Sequence, residues 1–521
     1  MKRRASVNKN KRVKAVEEEI VDEPVLSNPS STSSSENSGD HTDKQEIHEI
    51  EQEIARQKEE REKEENPSMS EDQDNQESEN ENEEQKQESE DDDENDKKEL
   101  FPSESEEIND EFSENEFEKA AKQTIKEEAQ VKKEAEEELL TNVAEEQRYV
   151  LPSGQEVVKS REFGDMATIG TRIREVVAVL NDFKNKREEG RSRQEYVNLL
   201  IQDIQTYYSC NEFLANFVVD LFGPKAAVDF MEANETPRPT TIRVNTLKSK
   251  RRDLAQKLIA KGVNVDMIEW CKSGLVVYES QIPIGATVEY LSGMYILQSS
   301  SSWAAVIALA PQPNERILDM CSAPGGKSTH IAALMKNTGT LVANDVSKDR
   351  LKAVVGNVQR LGITNTIVTS YDGHEFPKVM GGFDRVLVDA PCTGLGIISK
   401  DSSVKLSKSE ADLRTYSKMQ KELLLHAIDS VNPKSATGGY VVYSTCSVSV
   451  QENEAVVDYA LRKRNVKVVP IDLQEGVGEP GMVGWKQYHF NPSIKLARRF
   501  LPHVQNMDGF FVCKLKLYVE H

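Results

Sequence analysis

The sequence predicts an α/β fold built on a mostly parallel, doubly wound sheet, preceded by a helical stretch and a smaller α/β module. Three observations lead there. After Gln298, short apolar runs alternate with amphipathic stretches, the signature of strands and covering helices. Between residues 166 and 233 the apolar positions recur at helical spacing. Charge is also divided unevenly: residues 1–150 carry 21 Lys and Arg against 49 Asp and Glu, and the remainder carries 45 against 40. The formal charge of −23 therefore describes a tail, and the folding part is mildly basic.

The boundaries follow from these shifts. Residues 1–148 begin with seven Lys or Arg in the first 14, a pattern for nuclear import, RNA contact or a solvated end. No apolar core follows, so the start does not read as a signal peptide. Acidic low-complexity sequence comes next, including EDDDEND at 90–96. It has too little apolar surface to offset its ordering entropy, so disorder is expected. Residues 116–140 are rich in helix formers and read as a charged, solvated helix. Residues 149–236 form the helical region: MATIGTRIREVVAVLNDF, RQEYVNLLIQDIQTYY and FLANFVVDLFG. Residues 237–298 form the small module, with TTIRVNTLK, VNVDMIEW and GLVVYES as strands and RRDLAQKLIAKG as a helix.

Residues 299–521 carry the regular pattern. ILDMC, TLVANDV, TIVTSYD, DRVLVDA, GYVVYSTCS, VKVVPI and GFFVCKLKL read as strands. KSTHIAALMKN, SKDRLKAVVGNVQRLG, ADLRTYSKMQKELLLHAIDSV and VQENEAVVDYALRKR read as helices. The run WAAVIALA at 303–310 is too short to span a bilayer. Six scattered cysteines include no CxxC pair, which excludes the usual zinc spacings and a disulfide framework. No metal and no membrane partner are expected. The reading is a soluble intracellular chain with free thiols.

In such a sheet, ligands bind beyond the carboxyl ends of the strands. Asp319, Cys321, Asp345, Asp372, Asp389, Cys392 and Cys446 all fall there. The first loop, DMCSAPGGKST, resembles the end of a P-loop, but Cys321 stands where that motif needs its first glycine. What remains is a Pro-Gly-Gly turn into a helix. Gly325 and Gly326 let backbone approach a ligand, and the helix start suits a carboxylate. Asp345 can accept from ribose hydroxyls, and Asp372 from an adenine amino group. S-adenosylmethionine has all three parts.

The thiols complete the argument. Carbon 5 of a pyrimidine is a poor nucleophile until a thiolate adds to carbon 6. An acid near ring N3 then neutralises the developing charge. One thiol adds, the other helps elimination, and Asp389 contacts the ring. This chemistry does not decide which thiol adds. Cys210, Cys271 and Cys513 read as inert core residues, and His330 as packing or surface.

Residues from about 150 to 520 resemble the RNA cytosine-5 methyltransferases of the Fmu/Sun type, nucleolar protein 2 branch. The resemblance rests on TTIRVNTLK, YILQSSSSWAAVIALAPQPNERILDMCSAPGGKSTHIAALMKNTG, VLVDAPCTGLGIISKD, QKELLLHAIDSV, GGYVVYSTCSVSVQENE and MDGFFVCKLKL. It implies a Rossmann-like methyltransferase domain after an RNA-recognition-motif-like region. It makes Cys446 the nucleophile, Cys392 the residue that assists release, Asp389 the motif acid and Lys327 a cofactor or base contact. It assigns cofactor contacts to Cys321, Ser322, Ala323, Pro324, Gly325, Gly326, Lys327, Asp345, Arg350, Asp372 and Asp389. The implied methyl donor is S-adenosylmethionine, the substrate large-subunit ribosomal RNA, the partners pre-ribosomal assembly factors, and the compartment the nucleus and nucleolus. One departure is TGL at 393–395, where the branch more often has SGT.

Overall fold

The structure, a computed structural model, describes residues 149–518. The basic start, the acidic tail and the charged helix at 116–140 lie outside the described residues. Five helices of nine or more residues come first among the described residues: α1 (Gly154–Glu162), α2 (Met166–Asn181), α3 (Arg193–Tyr207), α4 (Glu212–Phe222) and α5 (Pro224–Glu235). Ser153, Asp165, Ser192 and Asn211 accept N–H bonds at the first four starts, which fixes where the helices begin. On α2, Ile169, Ile173, Val176 and Leu180 form one buried stripe that packs with Leu200 and Ile204 of α3. The sequence pattern did not separate α5 from α4. Gly223, at φ +80°, breaks the chain there, and Pro224 starts the next helix.

A four-stranded antiparallel sheet follows, made of β1 (Thr240–Val244), β2 (Val263–Met267), β3 (Gly274–Ser280) and β4 (Tyr295–Leu297). Its order is β2-β3-β1-β4. Helix α6 (Arg251–Ile259) buries Leu254 and Leu258 against Ile242, Val244, Leu275 and Val277 on one face. The alternate residues Thr241, Val276 and Tyr278 line a cavity on the other face, as the twofold period of a strand requires. β1 is shorter than the apolar run. The Asn245 side-chain amide instead donates to the carbonyls of Gly293 (2.9 Å) and Leu361 (2.8 Å).

Helix α7 (Ser300–Leu309) contains the WAAVIALA run and is buried on nearly every side. A helix apolar all round shows no period, so pattern alone does not reveal it. It packs across β8 (Arg385–Asp389), β9 (Tyr440–Thr445) and β15 (Phe510–Leu517) of the large sheet. The other strands are β5 (Arg316–Asp319), β6 (Thr340–Asn344), β7 (Thr366–Thr369), β10 (Val466–Val468), β11 (Glu479–Pro480) and β14 (Arg498–Phe500). A separate hairpin pairs β12 (Gly484–Trp485) with β13 (Tyr488–His489).

The order is β11-β14-β15-β9-β8-β5-β6-β7, with β10 on β15. β7, β6, β5, β8 and β9 run parallel, and β15 is antiparallel to β9. Helices α8 (Gly326–Leu334), α9 (Lys348–Leu361), α10 (Glu410–Ser430) and α11 (Glu454–Lys463) connect them. Successive residues of β8 enter different cores: Val386 and Val388 pack with α10, and Leu387 packs with α7. Both faces are therefore covered, which is why these strands read as continuous apolar runs. From β5 the chain builds β6 and β7 on one side, then returns to place β8 on the other. That reversal opens a crevice at the carboxyl edge.

Candidate active site

β8 and β9 are parallel, with Asp389 beside Ser444. Their loops therefore leave the sheet side by side, carrying Cys392 and Cys446. The two sulfurs lie 3.0 Å apart, and both thiols are free. The hydrogen bond with Cys446, then burial and the nearby charge of Glu452, push the Cys392 thiol well above its ordinary range.

Asp389 ends β8 beside them. Its Oδ1 accepts from the Ser444 hydroxyl (2.8 Å) and its Oδ2 from Lys327 Nζ (2.7 Å). Lys327 stands on the first turn of α8, with Nζ 5.0 Å from the centre of the Phe510 ring. Neither Ser444 nor Phe510 stood out in the sequence, because Ser444 meets Asp389 and Phe510 meets Lys327 only in the tertiary fold.

The loop from Cys321 to Gly326 is tight. The Gly325 N–H donates to the Ser322 carbonyl (2.7 Å), and the Ala323–Pro324 bond is cis. Gly325 has φ +97°, and a Cβ there would lie 3.2 Å from Val354 Cα. α8 starts with no side-chain cap, which leaves its first N–H groups for a ligand. The buried Ser322 hydroxyl has no hydrogen-bond partner. Burial pushes the Cys321 thiol far up, so it lines the site as an inert group.

A cavity of about 510 Å³ runs from Cys321 and Asp345 through Asp372 to Asp389, Cys392 and Cys446. Tyr416, Met419 and Leu423 of α10 make its apolar wall, which strand-end reasoning missed. Asp345 accepts from Ala323 N (3.1 Å) and Ser347 N (3.0 Å), and Arg350 stands 3.5 Å away. Arg350 also donates to the Ala323 carbonyl (2.9 Å). The carboxylate of Asp372 is 55% exposed, and the His374 N–H holds its pKa down. A second cavity of about 320 Å³ contains Gln298, Ser302, Pro324, Gly326 and Lys327. The two share Cys321, Ala323 and Asp389.

Asp319 does not join the others. Its carboxyl is buried under the loop, accepts from Ser328 (2.7 Å), and is pushed up to about 7 by burial. His330, Cys210, Cys271 and Cys513 are buried too. The sequence also missed Glu452. It lies in QENE, which reads as the start of a helix, yet α11 begins only at Glu454. The residues before it fold back against the thiol loops.

The sequence matches the family described as 16S rRNA methyltransferase RsmB/F over residues 306–516, and the N-terminal domain of 16S rRNA methyltransferase RsmF over residues 211–300. A mouse protein named 28S rRNA (cytosine-C(5))-methyltransferase is 56% identical over 385 residues, which cover 74% of this chain and 48% of that protein. The chain thus spans about half the length of that relative. A tRNA (cytosine(49)-C(5))-methyltransferase of Pyrococcus abyssi is 34% identical over 281 residues, covering 54% of this chain and 88% of that one. A crystal structure of a methyltransferase homolog from Pyrococcus horikoshii superposes with a TM-score of 0.55 at 33% identity, covering 61% of this chain and 98% of the other.

Proposed function

Because this chain belongs to the RsmB/F family of methyltransferases, in the branch of its mouse relative, we propose that its thiol pair makes 5-methylcytosine in large-subunit ribosomal RNA. The observation that carries the proposal is the pair of free sulfurs 3.0 Å apart beside the Asp389–Lys327 contact, at the floor of one cavity.

Cys446 is the nucleophile: its thiolate adds to C6 of the cytosine, and the ring electrons move toward N3 and C5. The Lys327 ammonium, held 2.7 Å from Asp389, supplies the positive charge that stabilises the developing negative charge, and Asp389 contacts the ring. S-adenosylmethionine, when bound, supplies a sulfonium methyl group to the activated C5. Transfer of the C5 proton to a base then restores the C5–C6 double bond and expels the Cys446 thiolate. Cys392, held as a thiol beside the departing sulfur, assists that release. The cavity fits the methyl donor on three counts: uncapped N–H groups at α8 for its carboxylate, Asp345 with Arg350 beside its ribose, and the exposed Asp372 carboxylate for its adenine. Cys321 through Lys327 complete this wall.

The base has to leave its stack to reach the sulfurs, at a cost of about a few kcal/mol that is smaller in single-stranded RNA. We read the β1–β4 sheet as RNA-recognition-motif-like. Its exposed Tyr278 and half-buried Val276 line a further cavity of about 470 Å³, which shares Leu297 and Gln298 with the cavity at Lys327. RNA lying there leads toward the thiols. Work in the nucleolus beside pre-ribosomal assembly factors belongs to the same proposal. The second reading, transfer RNA as substrate, rests on the Pyrococcus abyssi relative.

The test uses the full chain with S-adenosylmethionine and each RNA. Cys392→Ala accumulates a denaturant-resistant RNA adduct, and Cys446→Ser forms none. Equal adduct yields from the two variants overturn the assignment. Bisulfite sequencing of both RNAs decides the substrate.

A further inference from the structure

Glu452 is completely buried and belongs to no part of the chemistry above. Its Oε1 accepts from the Thr393 backbone N–H (2.9 Å) and from Gln420 Nε2 (3.1 Å). Its Oε2 accepts from the Thr393 hydroxyl (2.6 Å) and from the Ser447 hydroxyl. Thr393 follows Cys392, and Ser447 follows Cys446. Gln420 Nε2 also donates to the Pro391 carbonyl (2.8 Å), on the other side of Cys392. The next residue extends the grip. Asn453 accepts from the Thr445 hydroxyl (2.5 Å) and donates to the Ser447 carbonyl (2.8 Å). One short segment therefore ties down the residues flanking both sulfurs.

The number and chemistry of its partners set this acid apart, since buried Asp319 has only the Ser328 hydroxyl. The buried acids Asp203, Glu315 and Glu454 each meet an arginine: Arg172, Arg385 and Arg499. Glu452 meets only neutral donors, four of them, as many as an ionised carboxylate has lone-pair sites. Burial pushes its carboxyl up, and the four donors offset only part of that rise. A buried acid without a cation is a costly filler, and an apolar side chain would fill the space at less cost. Its donors come from the two thiol loops and from Gln420, which holds one of them.

We propose that Glu452 is a positioning residue that joins the Cys392 and Cys446 loops and keeps the two sulfurs in register, acting through Thr393, Ser447 and Gln420. It rests on the proposed function for the roles of the sulfurs, but not for their proximity. A Gln side chain has the same shape, but its NH2 group faces two donors instead of accepting from them, so Glu452→Gln opens the joint.

The experiment has two readouts on the full chain. Phenylarsine oxide, which needs two neighbouring thiols, reports proximity without RNA, and Cys446→Ser is its blank. Methylation kinetics report turnover. Glu452→Gln is expected to slow arsenical capture about tenfold and to lower kcat by about 100-fold, with KM for RNA changed by less than about threefold, the mark of misplaced reacting groups. Ser447→Ala removes a single donor and is the milder variant if Glu452→Gln does not fold. It slows capture by about threefold on the same grounds. Wild-type capture and turnover in a folded Glu452→Gln, or wild-type capture in Ser447→Ala, overturns the proposal. Slowed capture in a chain whose wild type methylates no RNA supports the joint and overturns the functional reading instead.

Discussion

On the β5–β6 side of the crevice, the residues proposed to face a methyl donor are placed mainly by main chain. Ser322 to Gly325 turn through one backbone bond, Gly325 takes a left-handed φ, and Asp345 is oriented by two backbone N–H groups. On the β8–β9 side, the thiols are placed by side chains from distant segments. Glu452, Asn453 and Gln420 hold the loops, and Arg499 on β14 donates to the Val448 carbonyl while pairing with Glu454 (2.6 and 2.7 Å). The two sides differ because their tasks differ. A ligand that only has to bind is met by a rigid turn. In the proposed chemistry, two sulfurs that serve addition to and release from one base need registration across separate strands.

The largest effect expected from breaking this contrast is on the thiol side. Arg499→Met strands Glu454, whose side chain is 0% exposed, and should cost about 3–5 kcal/mol of stability in denaturant unfolding. A loss below about 1 kcal/mol, the scale of a surface pair, would mean that the side-chain scaffold matters little there.

Gly325→Ala should act on the donor side alone. A non-glycine residue at φ +97° costs about 1–2 kcal/mol. The expected readout is weaker binding of S-adenosylmethionine by calorimetry, with arsenical capture at the thiols unchanged. Loss of capture would show that the two sides are one unit.

A pH-dependent effect is expected at Asp319, beneath both. Its folded pKa, about 7, lies above the ordinary carboxyl value of 3.8. The folded protein therefore holds this proton more tightly than the unfolded chain, and stability is withdrawn as pH rises from about 4 to about 7. Asp319→Asn keeps a partner for Ser328 and removes that dependence. Its melting temperature should exceed that of the wild type by a few degrees at pH 8, and the difference should shrink toward pH 4. A constant difference across that range would place the proton elsewhere.

Much of the donor side was legible because its signals are local. Strand, Pro-Gly-Gly turn and helix follow within a dozen residues, and Asp345 and Asp372 close successive strands. The thiols were legible as a pair only through their shared position at strand ends. Lys327 was named, but its 2.7 Å contact with Asp389 joins positions 62 residues apart. Tyr416 and Met419 looked like any amphipathic helix face. Glu452 was hidden because an acid before a helix is ordinary, and only its partners make it unusual.

By itself the sequence determined the alternation of strands and helices, the uneven charge, and the chemical groups at the carboxyl edge, since periodicity, composition and turn residues are properties of neighbours in the chain. Tertiary structure alone decided that β15 runs antiparallel beside β9, that α7 is a helix, and that Cys392 and Cys446 touch. Those outcomes depend on contacts between residues far apart in the chain, whose partners are chosen by packing both faces of one sheet at once.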